Sequence, residues 1–179
     1  MAGFASLVAL AGMLAGAAYA NAAPTFQHYV ALGDSYASGP LIPNQSLHPI
    51  GCARSDHNYA GDLARSMHIP TLVDVSCGGA TTVDMTHTQS VPLGSNAPEF
   101  NALTTTTDLV TVTIGGNDIG FTSVIETCAL ESLTNPFGAP CKQHFTGGGT
   151  DQLAARIAAA APKVGAVLSG IRQRAPHAR

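Results

Sequence analysis

Tryptophan is absent from this sequence, aromatic residues make up 6% of it and charged residues only 11%. The 8 lysines and arginines form no run, so the chain lacks the electrostatic footprint that a phosphate backbone requires. A formal net charge of -3 likewise argues against attraction to an acidic membrane surface. Neither a Cys-x-x-Cys pair nor a closely spaced pair of histidines occurs, which speaks against a zinc site. A Rossmann glycine pattern and a phosphate loop are also missing. Nucleic-acid binding and dinucleotide chemistry are thereby set aside.

What is present suits one compact domain: 179 residues, 45% hydrophobic, with 19 glycines and 11 prolines that favour turns and long loops over a helical bundle. Phe4 to Ala18 is an apolar, small-residue run followed by Ala18-Tyr-Ala20 and Ala20-Asn-Ala22. This reads as a signal peptide over 1–22, with cleavage after Ala22 preferred to Ala20 and a domain over 23–179, although no Lys or Arg precedes the run. An uncleaved membrane anchor is the alternative. The 4 cysteines, Cys52, Cys77, Cys128 and Cys141, fit an oxidising compartment. Three pairings are open. Cys52 with Cys77 and Cys128 with Cys141 are preferred because each closes a local loop, worth on the order of 3 kcal/mol in the chain-entropy view.

The chain is organised around Tyr29-Val-Ala-Leu-Gly-Asp-Ser-Tyr-Ala-Ser-Gly39. Its apolar start reads as a buried strand, and Gly33 lets the backbone turn sharply to deliver Ser35 at the strand's carboxyl end. Pro40 to Gly51 is punctuated as a loop, and Ala60 to Met67 reads as a helix. Thr71 to Cys77 is the second strand, ending in Gly78-Gly79. A polar region follows, and then Asp108 to Ile114, the clearest strand, runs into Gly115-Gly116-Asn117-Asp118. Three strand ends that each carry a glycine and a nearby polar group would lie side by side in a parallel sheet and could surround one reacting atom. Cys128 to Gly149 reads as loop. Thr150 is the expected cap of a final helix whose apolar face is Leu153, Ile157, Ala161, Val164, Leu168 and Ile171, kinked near Pro162.

Serine ester hydrolysis needs a nucleophile, a base and donors for an oxyanion. Ser35 supplies the first. The backbone N–H groups of Ser35 and Gly79 and the side-chain amide of Asn117 are the candidate donors.

Gly33-Asp34-Ser35, Gly79 and Gly116-Asn117-Asp118, in this order, resemble the first three blocks of the SGNH (GDSL-type) hydrolase family. Leu41-Ile-Pro-Asn-Gln45, Cys52-Ala-Arg-Ser55 and Asn58-Tyr59 further resemble its secreted actinobacterial esterases and lipases. The resemblance is close from Tyr29 to Asp118 and fades after Cys141. It implies an α/β fold, a three-layer flavodoxin-like parallel sheet. It also implies Ser35 as nucleophile, an oxyanion hole of Ser35, Gly79 and Asn117, a carboxylic ester substrate, and no metal or cofactor.

Tyr36 follows the serine where the namesake motif has Leu, a tolerated change. The larger departure is that the family's late Asp-x-x-His block is missing, so the sequence reads as a C-terminally truncated copy, incomplete in its fold. Asp84-Met-Thr-His87 has the letters of that block but follows the second glycine block and reads as a decoy. His28, His48, His57, His68, His144 and His177 have no better claim. Asp34 and Asp118 read as turn-formers. The expectation is a secreted, monomeric esterase or lipase whose present residues hydrolyse poorly. An exported binding module or pseudoenzyme is the rival, and a membrane-tethered structural protein the third reading.

Overall fold

A computed structural model describes residues 25–179; the expected signal peptide lies outside the described residues. In chain order the regular elements are β1 (His28–Gly33), α1 (Ser35–Ser38), α2 (Tyr59–Ser66), β2 (Thr71–Asp74), β3 (Gln89–Val91), β4 (Gly94–Asn96) and β5 (Leu109–Thr113). They are followed by α3 (Phe121–Thr134), α4 (Pro140–Thr146) and α5 (Gln152–Arg174). β1 is central, paired in parallel with β2 on one edge and β5 on the other. The chain therefore leaves β1 to one side and returns to the other, the strand order that opens a crevice beyond the carboxyl ends.

Alternation along β1 builds three layers. Tyr29 and Ala31 face Ala60, Ala64 and Ile69 of α2 and the turn after it. Val30 and Leu32 face Met85, Phe100, Val167 and Ile171, so α5 covers the opposite side. This is the expected α/β architecture with a parallel sheet between helices. At the outer edge of β5, Arg179 N–H donates to the Asp108 carbonyl and its own carbonyl accepts from Val110 N–H, the bonding of a parallel neighbour.

Several local expectations are corrected. Residues between Cys128 and Gly149 are largely helical, in α3 and α4, and the polar segment after β2 holds the antiparallel β3–β4 pair. α5 is capped by Asp151, whose carboxylate accepts from the N–H groups of Leu153 and Ala154, both at 3.0 Å. That satisfies two of the helix's free donors, work that Thr150 does not do. Of the expected α5 face, Ile171 is buried and Leu153 and Val164 half-buried, whereas Leu168 is 54% exposed, Ile157 56% and Ala161 exposed; Ala160 and Val167, outside that face, are buried. The stripe that meets the sheet is 160–164–167–171, which shares Val164 and Ile171 with the expected face, and the helix continues through Pro162.

Candidate active site

Gly33 ends β1 with φ +131°, and a Cβ there would stand 2.3 Å from the Thr113 carbonyl oxygen. Only glycine lets the strand approach β5 so closely and then turn. Asp34 is the N-cap of α1: its carboxylate accepts the Tyr36 N–H at 3.0 Å and the Thr113 hydroxyl at 3.3 Å. Its burial raises its pKa above the ordinary carboxylate range, against the pull of the Tyr36 N–H. Asp34 is thus a turn-former, as expected. It leaves the half-buried Ser35 as the first residue of α1, at the carboxyl end of the central strand.

The second strand end is held from several sides. A disulfide joins Cys52 to Cys77, Gly78 N–H donates to the Cys52 carbonyl at 2.8 Å, and the Gln89 amide donates to the Gly78 carbonyl at 2.9 Å. Arg54 Nε adds a bond to the Ser76 carbonyl at 2.7 Å. Gly79 emerges from this clamp exposed, with φ +80°.

The third strand end is tied to both others. Asp34 N–H donates to the Thr113 carbonyl at 2.9 Å, linking the first loop to β5. Asn117 Nδ2 donates to the Ala80 carbonyl at 2.7 Å, linking the third loop to the second. Asp118, with its side chain 2% exposed, accepts from the Thr82 N–H at 2.9 Å and the Thr82 hydroxyl at 2.6 Å and lies 3.6 Å from Lys163 Nζ. Asp118 therefore staples the loops together. Among the described residues neither the Ser35 N–H nor the Gly79 N–H has a protein acceptor. Two backbone donors and one amide proton of Asn117 are left for a ligand.

The histidines do not join this cluster. Among the described residues no hydrogen bond connects a histidine to Ser35. His57 is exposed and bonds to Asp56 at 2.5 Å, and His144 bonds to Glu131 at 3.2 Å. Asp84 spends its carboxylate on a capping box, 2.7 Å from Thr81 N and 2.8 Å from Thr81 Oγ1, while His87 Nδ1 lies 3.0 Å from the Thr86 hydroxyl. Asp84 and His87 do not form a dyad.

Glu99 was not singled out in the sequence. It sits in a short 3-10 turn over Glu99–Ala102, 1% exposed, and accepts the Gly33 N–H at 2.6 Å. Burial pushes its carboxyl up to about 8, against the Gly33 hydrogen bond and the charge of Arg54. No spacing or motif marks it.

A groove of 640 Å³ runs between β5 and α5, lined by Val110, Val112, Leu168 and Ile171, away from Ser35. It lies along the β5 edge, where Arg179 bonds to Asp108 and Val110, and none of Ser35, Gly79 and Asn117 lines it.

The GDSL-like Lipase/Acylhydrolase family profile matches residues 31–179. Lipase 2 of Streptomyces coelicolor is 41% identical over 169 residues, covering 91% of this chain and 53% of that protein. A lipase of Streptomyces rimosus is 40% identical over 121 residues, 66% of this chain and 41% of its own length. Among solved structures, phospholipase A1 from Streptomyces albidoflavus superposes with a TM-score of 0.67 at 31% identity, over 86% of this chain and 57% of that one. The extracellular lipase of Streptomyces rimosus does so with a TM-score of 0.60 at 30% identity over the same shares. The chain spans about half the length of the curated relatives it matches.

Proposed function

The chain belongs to the GDSL-like Lipase/Acylhydrolase family, and from that premise we propose that its residues carry the nucleophile and oxyanion hole of an exported serine esterase or lipase. The observation that carries this is the convergence of Ser35, Gly79 and Asn117 on three hydrogen-bonded strand-end loops, with the Ser35 and Gly79 N–H groups free among the described residues. Ser35 Oγ attacks the ester carbonyl carbon as its proton passes to a base. The carbonyl oxygen takes the negative charge, which the two N–H groups and the Asn117 amide stabilise. Expulsion of the alcohol, protonated as it leaves, gives an acyl-serine that water then cleaves.

None of the seven histidines is assigned as base. Turnover is therefore proposed for the protein as a whole, and the 179 residues by themselves are expected to hydrolyse esters slowly. Export is supported by the two disulfides, by the 1–22 signal-like run and by a structural neighbour that is an extracellular lipase. Ester binding without turnover is the second reading, favoured by the absence of a histidine bond to Ser35 among the described residues.

The test is fluorophosphonate labelling of the protein expressed from its complete reading frame, beside Ser35→Ala. Labelling that Ser35→Ala abolishes supports the nucleophile. Undiminished labelling of the variant would reject it, and a wild-type protein that binds ester analogues but neither labels nor turns over would favour the second reading.

A further inference from the structure

The β1–β2 ladder has a gap at the residue that precedes the nucleophile's turn. Ala31 pairs with Asp74, and the ladder runs on through Val75 N–H to the Ala31 carbonyl at 3.0 Å and Cys77 N–H to the Gly33 carbonyl at 2.8 Å. In a parallel ladder of that register the Gly33 N–H would donate to the Val75 carbonyl. That carbonyl instead accepts from the Asn96 amide at 3.1 Å, and Gly33 N–H is met by Glu99 Oε2 at 2.6 Å. A side chain 66 positions away takes the place of a backbone acceptor.

We propose that Glu99 is a positioning residue for catalysis: its carboxyl oxygen fixes the Gly33 peptide and, through it, the direction in which Ser35 leaves β1. The inference rests on Ser35 as the nucleophile. Gly33 is bonded through its N–H to Glu99 and through its carbonyl to Cys77, and the next N–H, of Asp34, is bonded to Thr113. Three partners from three different segments thus set the backbone entering the turn. Removing Glu99 releases the peptide two residues before Ser35 and leaves its buried N–H unpaired. The placement of a carboxylate there is costly, since Glu99 is 1% exposed and its Oε1 has no protein partner among the described residues. Asparagine or glutamine side chains serve the neighbouring carbonyls, Asn96 at Val75 and Gln89 at Gly78, so this part of the loop cluster is held by side chains reaching in from the 89–99 segment.

The test uses the complete protein and p-nitrophenyl butyrate, with Glu99→Ala, Glu99→Gln and Ser35→Ala. Glu99→Ala should lower kcat by about tenfold to a hundredfold, the scale of a misplaced nucleophile, with KM within about twofold. Glu99→Gln, which keeps a carbonyl oxygen to accept from Gly33, should return kcat to within about threefold of wild type. An active, folded Glu99→Ala with unchanged kcat, or a loss confined to KM, overturns the inference. If Glu99→Ala does not fold, Glu99→Gln decides: a folded glutamine variant losing tenfold or more in kcat shows that an acceptor at Gly33 is not what matters. Full activity in Ser35→Ala would remove the nucleophile reading and this inference with it, whereas an inactive Ser35→Ala beside an unaffected Glu99→Ala removes only the inference.

Discussion

Asn117 turns one amide hydrogen onto the Ala80 carbonyl, 2.7 Å away, so the residue after Gly79 orients the side chain proposed to work beside it. A primary amide has two hydrogens, and committing one to a fixed acceptor aims the other. Asn117→Ala in the complete protein should lower kcat by about 10²–10³-fold, the usual cost of one oxyanion donor, with KM little changed. Asn117→Asp should be no better, because a carboxylate cannot donate. Steady-state kinetics on p-nitrophenyl butyrate would check both, and a loss confined to KM would count against the assignment.

Gly33→Ala is expected to be among the most damaging single changes in the chain. The new methyl would lie 2.3 Å from the Thr113 carbonyl oxygen, at a φ of +131° that side-chain-bearing residues rarely adopt. The backbone on both sides must shift, and a loss of about 2–4 kcal/mol is predicted from strain and overpacking together. Urea unfolding of residues 25–179 would measure it; a change below about 1 kcal/mol would mean that the strand end yields easily.

Glu99 makes stability depend on pH. Its pKa is raised from 4.5 to about 8 on folding, so the native state holds the proton over a range where the unfolded chain has released it. Stability therefore falls as pH rises from about 5 to about 8, and below that range the group contributes nothing to the slope. Glu99→Gln removes the ionisation, so its stability relative to wild type should increase steadily across that window and level off above it. Thermal melts at pH 5, 6.5 and 8 in matched ionic strength would show the divergence. Parallel curves would exclude Glu99 as the source.

The two disulfides should differ in reactivity and in consequence. Cys52 and Cys77 are 0% exposed and clamp the segment that presents Gly79, whereas Cys128 and Cys141 are half-buried and join α3 to α4. Mild reductant should open Cys128–Cys141 first, as alkylation and peptide mapping would reveal. The paired serine replacement at Cys52 and Cys77 should cost about 3 kcal/mol, by the chain-entropy estimate for a closed loop of this size, and should also depress kcat. Replacing Cys128 and Cys141 should leave kcat of the complete protein within a few-fold of wild type.

His87→Ala should leave activity and stability nearly unchanged, whereas Asp84→Ala should cost about 1 kcal/mol by removing the cap at Thr81. The 179 residues expressed without additions should turn over p-nitrophenyl butyrate at a rate at least about 10²-fold below that of the complete protein, for want of general-base assistance. Comparable rates for the two, abolished by His87→Ala, would make His87 the base after all.

Much of the site was legible along the chain because its signals are local. An apolar run broken by glycine marks a strand and its end, so the three loops bearing Ser35, Gly79 and Asn117 could be read from Tyr29–Gly39, Thr71–Gly79 and Asp108–Asp118. The disulfides were readable for the same reason, with separations of only 25 and 13 residues. β3 and β4 were not, since Gln-Ser-Val and Gly-Ser-Asn are only three residues long and, Val91 apart, polar or glycine, too short for a legible alternation, and they form only as a pair.

Helical periodicity predicted α5 and, at Val164 and Ile171, part of its buried side. Positions 157, 161 and 168 lie within one turn of 160 and 167, and which of these neighbouring positions meets the sheet is settled by the strands opposite, not by the helix. Glu99 is the clearest case of what only the tertiary structure decided. Its partner Gly33 is 66 positions away, and the need for that partner arises only because the Val75 carbonyl turns to Asn96. A backbone donor left over by an interrupted ladder exists in the folded sheet alone. The sequence by itself determined where the strands end and which polar groups stand there; the closure of one ladder against another determined how those ends are held.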